Sequence, residues 1–362
     1  MNDTKRLRTL RRRMAAAGLE SLLVSHLPDV RYLCGFTGSN AALAISPGRA
    51  ALFTDGRYTV QAKQETFGAR VVIAEHSALR EACAFLAASG VAHAAFDPSN
   101  TTVAALETMR SAIPARQRRS FFQPSPSPLV ADLRMVKDSG ELQRMEEAAA
   151  LGCRLFEELL PKIARGTPET VIAAELEYAA RRSGAEGMSF DTIVASGPRS
   201  ALPHGHATSA KLPRNGFMVL DFGVILKGYC SDMTRTVFVG KAGNRERFAY
   251  DSVLEAQQAA VQAVRPGVTC GEVDEAARSV LRKAGLAQYF THSTGHGVGM
   301  EVHEAPRVAA AQTQVLKPGM VITIEPGIYI AGEFGIRIED MVVVTDRAGR
   351  VITPATKALI EL

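Results

Sequence analysis

Two acids interrupt the most apolar stretches in the C-terminal half of the chain. Asp221 ends the run Phe217-Met218-Val219-Leu220, and Glu325 ends Met320-Val321-Ile322-Thr323-Ile324. Burying an ionised carboxylate is costly unless it meets a cation or several hydrogen-bond donors. Two residues after each acid comes a glycine, Gly223 or Gly327, and each run follows a turn-like segment, residues 212–216 or 316–319. The chain states one device twice, with the spacing slipped by a residue.

Hairpin geometry brings further acids to the same place. A two-residue turn at Lys227-Gly228 sets Asp221 opposite Thr234 and Gly223 opposite Asp232, which makes Asp221 and Asp232 diagonal neighbours. In the second copy, Arg337 and Glu339 alternate onto one face of a strand over residues 335–344, and the hairpin returns Glu339 toward Glu325. If both copies close on one cleft, four carboxylates converge. Two like charges about 4 Å apart repel by roughly 4 kcal/mol at an effective dielectric of about 20. Protons or metal ions must therefore lie among them, and two divalent cations carry the matching charge. An oxygen-rich site with one imidazole suits Mn²⁺, with Co²⁺ or Zn²⁺ as substitutes, rather than copper or a thiolate-seeking metal. His296 is the candidate imidazole. Glycines on both sides, Gly295 and Gly297, would let its backbone approach a ligand. Of the 8 histidines, His204, His292, His296 and His303 fall just ahead of the acid-bearing strands.

The elements that must position these groups fall into two parts, and 362 residues exceed the usual single-domain length. The first part alternates helix and strand patterns. Leu7, Leu10 and Met14 recur at helical spacing, residues 21–25, 41–45 and 50–54 read as strands, and residues 79–88 as a helix. That is an α/β pattern. Pro124, Pro126 and Pro128 then mark an extended linker, which places the boundary near residue 130, between domains 1–130 and 131–362. Beyond it, Asp138 and Glu141 form a capping pair for a helix, and Thr167-Pro168 opens a second, with threonine as cap and proline at the first helical position. Residues 247–264, then Thr269 with Glu272, repeat the helical pair about 105 residues later. The catalytic half is therefore an α+β unit with internal duplication.

Composition excludes several classes. Hydrophobic residues at 46% and charged residues at 22% fit a globular chain with a core. The net charge of +5 includes basic runs at residues 5–13 and 116–119. Neither has aromatics interleaved, so they read as a solvated helix face and a charged loop, not a nucleic-acid surface. Five dispersed cysteines without CxxC argue against disulfides or a zinc-thiolate site and fit a reducing compartment. No run approaches a membrane span, and Glu20 and His26 break any signal-like stretch. The expected location is cytoplasmic.

The order DFGVILKGYCSDMTRT, GHGVGMEVHEAP, IEPGIYI, GIRIEDM resembles the pita-bread metallopeptidases, and within them the Xaa-Pro aminopeptidases and Xaa-Pro dipeptidases (prolidases). YLCGFTGSNAAL and ALFTDGRYTVQA are similar to the creatinase-type N-terminal domain that precedes that catalytic domain. The resemblance implies an α/β N-terminal domain, and an α+β pita-bread domain whose halves are related by a pseudo-two-fold. It makes Asp221, Asp232, His296, Glu325 and Glu339 the ligands of two divalent ions. It gives His204, His303 and Glu325 catalytic roles, and sets Thr234 and Arg337 behind the ligands, where Arg337 orients the carboxylates. Tyr329 is placed on the active-site lining and Arg307 on the substrate's terminal carboxylate. The implied reaction is metal-assisted attack of water on the carbonyl before proline, with Glu325 passing the proton to the leaving nitrogen.

Creatinase-like enzymes lack these ligands, methionine aminopeptidases lack the N-terminal domain, and non-catalytic relatives lose ligands. None of those departures occurs here. The expected activity is an Xaa-Pro aminopeptidase acting on short peptides with proline second. A dipeptidase restricted to Xaa-Pro is the alternative, toward which Arg307 leans. The resemblance also implies a homodimer.

Overall fold

The computed structural model describes residues 4–362 and separates into two compact units, one ending at Arg134 and the other spanning Met135–Leu362. The first unit is one mixed sheet dressed with helices. In chain order it contains α1 (Thr4–Ala16), β1 (Leu22–Val24), α2 (Leu27–Cys34), β2 (Ala41–Ser46), β3 (Arg49–Thr54), α3 (Thr59–Glu65), β4 (Arg70–Ile73), α4 (Ala78–Ala88), β5 (Ala94–Phe96), α5 (Val103–Ser111), β6 (Phe122–Pro124) and α6 (Leu129–Arg134). The sheet order is β4-β3-β2-β1-β5-β6. Leu7, Leu10 and Met14 are all buried, as their helical spacing requires.

The proline-rich run departs from the expected linker. Phe122–Pro124 pairs in parallel with β5 as the outermost strand, and the Ser125 N–H then donates to the Phe96 carbonyl. An edge strand tolerates proline because one row of its N–H groups has no partner to lose.

The second unit repeats one order of elements: two helices, then broken hairpins. Its first half holds α7 (Ser139–Leu159), α8 (Glu169–Arg182), β7 (Gly187–Met188), β8 (Ile193–Ser196), β9 (Gly216–Phe222), β10 (Val224–Leu226), β11 (Tyr229–Cys230) and β12 (Met233–Val239). Its second half holds α9 (Asn244–Ala263), α10 (Cys270–Lys283), β13 (Gly295–Gly297), β14 (Glu304–Val308), β15 (Val321–Ile324), β16 (Gly327–Ile330), β17 (Phe334–Arg337), β18 (Asp340–Val344) and β19 (Gly349–Val351). Both expected capping boxes are present, Asp138 with Glu141 on α7 and Thr269 with Glu272 on α10.

The Thr167 cap is not. Pro168 itself is the N-cap residue of α8, and the Thr167 carbonyl accepts from the Leu212 N–H. Pairing of this segment with the strand-like residues before β9 wins over a side-chain cap.

The strands that carry the acids are buried on both faces. On β9, Phe217 packs into a cluster with Val253, Ala277 and Ile324, while Met218 and Leu220 pack against Phe156 and Leu176 on the other side. This accounts for an unbroken apolar run instead of alternation. Among the described residues no helix is long and apolar enough to cross a membrane, and all five cysteines are buried with free thiols.

Asp138 accepts from the Gly140 and Glu141 N–H groups at 2.9 and 3.0 Å. Asp138→Ala is expected to destabilise the second unit by about 1 kcal/mol, and hence to lower its melting temperature by about 2–4 °C in a thermal scan. An unchanged melt would show that α7 is held by its packing alone.

Candidate metal centre

Each acid stands where a hairpin leaves one sheet for another. At the first turn Lys227 and Gly228 both have positive φ, 50° and 76°, the conformation of a type I′ turn. Phe222 pairs with Met233 and Ile225 with Cys230 in one common register, so Asp221 faces Thr234 and Gly223 faces Asp232 as expected. The ladder nonetheless breaks, for β9 and β12 lie in one sheet and β10 and β11 in another. A Cβ at Gly223 would come within 1.8 Å of the Ser231 carbonyl oxygen, so only glycine allows the arms to cross so closely.

The second hairpin does the same. The strand expected over residues 335–344 is two strands in different sheets, β17 on β16 and β18 on β15, with Ile338 and Glu339 between them. One register runs through both ladders and sets Glu325 opposite Glu339. Arg337 and Glu339 still converge as alternation requires, for both reach the Thr234 hydroxyl. That hydroxyl donates to Glu339 Oε2 at 2.7 Å and accepts from Arg337 Nε at 3.1 Å.

The four carboxylates do meet. Asp232, His296 and Glu339 each offer a ligand atom within 4.8 Å of the others. His296 Nε2 lies 3.6 Å from Asp232 Oδ2 and 3.4 Å from Glu325 Oε1. Burial, then Glu339, Asp221 and Glu325, push the Asp232 carboxyl well above its ordinary value. Burial and the neighbouring Glu325 and Asp221 do the same to Glu339, and burial lifts Glu325 to about 7. Among the described residues one buried cation stands with them, Arg337, whose guanidinium donates to Asp221 Oδ2, the Tyr329 hydroxyl and the Pro203 carbonyl.

Two observations test whether these residues fit a cation. The His296 Nδ1 lies 3.0 Å from the Gly297 carbonyl, an obligate acceptor, so the proton is on Nδ1. Burial lowers the pKa of His296, so the ring is neutral and Nε2 presents a lone pair. That lone pair faces the carboxylate oxygens of Asp232 and Glu325, an arrangement that repels unless a proton or a metal ion lies between them. Asp221 Oδ1, meanwhile, is buried without a hydrogen-bond partner. An imidazole oriented by a backbone carbonyl, with oxygens gathered around its free nitrogen, could hold a divalent ion.

A cleft of about 770 Å³ opens on this cluster, and the residues singled out from the sequence line it, with the exception of Thr234 and Tyr329. Thr234 is buried behind the acids. Tyr329 is 8% exposed, and its hydroxyl is engaged by Arg337 at 2.7 Å and by His292 Nε2 at 3.0 Å. It braces the guanidinium instead of facing the cleft.

The glycines beside His296 also serve another end than the one expected. Cβ atoms at Gly295 and Gly297 would meet the Thr323 and Ala305 carbonyl oxygens at 1.9 and 2.2 Å, so they admit neighbouring strands, not a ligand.

Sequence reasoning missed two supports. His292, grouped with the other histidines but given no task, has its pKa lowered to about 4 by burial and Arg337, and accepts from the Tyr329 hydroxyl. The Thr323 hydroxyl accepts from the His296 N–H and donates to Glu325, a counterpart of Thr234 on Glu339. The repeated strand pattern was the available signal for Thr323.

Residues 143–346 match the metallopeptidase family M24, and residues 6–136 match the creatinase/prolidase N-terminal domain. The chain belongs to metallopeptidase family M24. "Uncharacterized peptidase YqhT" of Bacillus subtilis (strain 168) is 38% identical over 99% of this chain and 100% of its own. The "Xaa-Pro dipeptidase" of Pyrococcus furiosus is 43% identical over 64% of this chain and 67% of its own. The solved structure "Xaa-Pro dipeptidase from Bacillus anthracis" superposes with a TM-score of 0.95 at 39% identity, covering 100% of both chains. The family, the creatinase-type domain and the duplicated pita-bread domain expected from the motifs are all borne out, and this M24 chain is a metallo-exopeptidase. Divalent metal dependence is a property of the family, and the cluster on the broken hairpins is where such ions could bind.

Proposed function

We propose that this chain is an Xaa-Pro dipeptidase in which Asp221, Asp232, His296, Glu325 and Glu339 hold two divalent ions, Mn²⁺ in preference to Co²⁺ or Zn²⁺. The carrying observation is the neutral imidazole whose free nitrogen points at carboxylate oxygens 3.4 and 3.6 Å away. When bound, divalent ions supply Lewis-acid polarisation of a carbonyl and acidify water. The protein's own groups do the rest. Glu325 accepts the proton of the attacking water and returns it to the proline nitrogen. That nitrogen leaves as an amine and must be protonated to do so. His204 and His303 line the cleft and donate to the oxygen on which charge develops. Arg337 holds Asp221 in place, and Thr234 holds Glu339.

The sequence slightly favours an aminopeptidase. Two considerations turn the reading to dipeptides: the relatives named as Xaa-Pro dipeptidases, and an exposed Arg307 paired across from His296 on the cleft wall. A guanidinium there rewards a substrate whose carboxylate follows proline directly.

Alanyl-proline with Mn²⁺ is expected to be cleaved and alanyl-prolyl-alanine to be cleaved poorly. Arg307→Ala should raise KM for the dipeptide about 30-fold, the equivalent of about 2 kcal/mol for one charge-assisted contact. Equal turnover of both peptides, with Arg307→Ala affecting neither, would return the reading to the aminopeptidase.

A further inference from the structure

Glu169 is the first residue of α8, is 0% exposed, and spends both carboxylate oxygens on one distant segment. Its Oε1 accepts from the Ser196 N–H at 2.8 Å and the Ser196 hydroxyl at 2.9 Å. Its Oε2 accepts from Arg199 Nε at 3.1 Å, the Thr208 N–H at 3.1 Å and the Thr208 hydroxyl at 2.9 Å. Ser196 and Thr208 are the two feet of the loop that carries His204 to the cleft. Its regular structure is a short 3-10 turn at Gly197–Ala201 and an isolated antiparallel bridge between His206 and Ile193.

Arg199 carries the hold onward, donating from Nη2 to the His206 carbonyl at 2.8 Å. The same loop presents the Pro203 carbonyl to Arg337 Nη1 at 2.9 Å. A buried carboxylate with five donors is a rigid joint, because withdrawing any donor leaves a charge short of partners in a dry site.

We infer that Glu169 is a positioning residue for the reaction: by pinning both feet of the loop over residues 196–208 it fixes His204 against the reacting centre. The inference rests on the role given to His204 in the proposed function. A displacement of about 1 Å at a group that touches the reacting atoms costs on the order of 10²-fold, so a distant joint can govern rate without touching substrate.

The experiment is a double-mutant cycle on the full-length protein loaded with Mn²⁺, assayed on alanyl-proline, with hydrogen exchange followed in parallel. Glu169→Gln keeps the shape but offers an amide N–H₂ to groups that already donate. It is expected to lower kcat/KM about tenfold to a hundredfold and to speed amide exchange across residues 197–207, with bound Mn²⁺ unchanged. In a His204→Ala background the same substitution should cost less than about twofold, since there is no longer an imidazole to misplace.

If His204→Ala alone leaves activity intact, the role of His204 falls and the inference with it. If His204→Ala is costly but the two effects simply multiply, or the loop exchanges no faster, Glu169 is structural only and the inference is overturned. Thr208→Val, which removes the hydroxyl that donates to Glu169 and accepts from the Ala210 N–H but no charge, serves if Glu169→Gln fails to fold. It must show the same non-additivity at smaller size.

Discussion

Exhaustive chelation of the purified protein is expected to reduce hydrolysis of alanyl-proline by about 10³-fold, a few kcal/mol of lost stabilisation, and Mn²⁺ should restore it. The same treatment should make stability depend on pH in a particular direction. Without cations, Asp232 and Glu339 sit well above their ordinary values, and Glu325 is raised from 4.5 to about 7. A carboxyl whose folded value exceeds its unfolded one binds its proton more tightly in the native state. The stability this contributes is whole below about pH 4.5 and is lost as pH rises through about 7. Chelated protein should therefore melt at lower temperature at pH 8 than at pH 5. Added Mn²⁺ should raise the melt more at pH 8, where the carboxylates are ionised and no proton competes. A lone Arg337 cannot balance four carboxylates, which is why the cations and not the guanidinium should govern the response. Glu339→Gln tests the same point without a chelator, and should lose bound metal together with activity. A melting temperature that ignores Mn²⁺ at both pH values would remove the basis for metal binding at these acids.

Much of this centre was legible because its signals are local. The Lys227-Gly228 turn fixes a register, and the register alone brings Asp221 to Thr234. Acids at the ends of apolar runs call for counter-charge whatever the tertiary fold. What escaped the sequence depends on where strands end. A hairpin that keeps its register but changes sheet at Gly223, or between Arg337 and Asp340, reads as one continuous strand, because side-chain alternation survives the break. Pro124 reads as a linker because nothing local says that an edge strand is waiting for it. His292 and Thr323 act on other side chains, across 37 residues in one case and two in the other, and only packing shows that they touch Tyr329 and Glu325. Glu169 is less visible still. Its partners lie 27 to 39 residues away, and an acid opening a helix looks like an ordinary response to the helix dipole.

Asp340→Ala should destabilise the second unit by about 3–5 kcal/mol, far more than removal of any surface acid. Asp340 is 0% exposed and follows Glu339 directly. Its Oδ1 accepts from Arg235 Nη2 at 2.8 Å and from the Thr353 hydroxyl at 2.9 Å, and its Oδ2 from Gln257 Nε2 at 2.8 Å and from Lys357 Nζ. Burial would raise its carboxyl, but Arg235 and Lys357 together outweigh burial and hold it below the usual aspartate value. Arg235 is itself buried and donates to the Thr234 and Glu339 carbonyls, the point where the two acid-bearing hairpins cross, and to the carbonyls of Ala355 and Thr356 near the C-terminus. Without Asp340, the guanidinium keeps its backbone acceptors but loses its counter-charge in a medium too dry to supply another. By contrast, the exposed pair Lys162–Glu175 at 3.1 Å is worth about 1 kcal/mol at most. Urea unfolding at constant slope measures both, with Glu175→Ala as the control. Asp340→Asn, which keeps the shape but removes the charge and turns one acceptor oxygen into a donor, should fall most of the way to Asp340→Ala. If the asparagine variant instead unfolds like wild type, shape and hydrogen bonding suffice there, and charge neutralisation is not what joins the two halves behind the candidate metal centre.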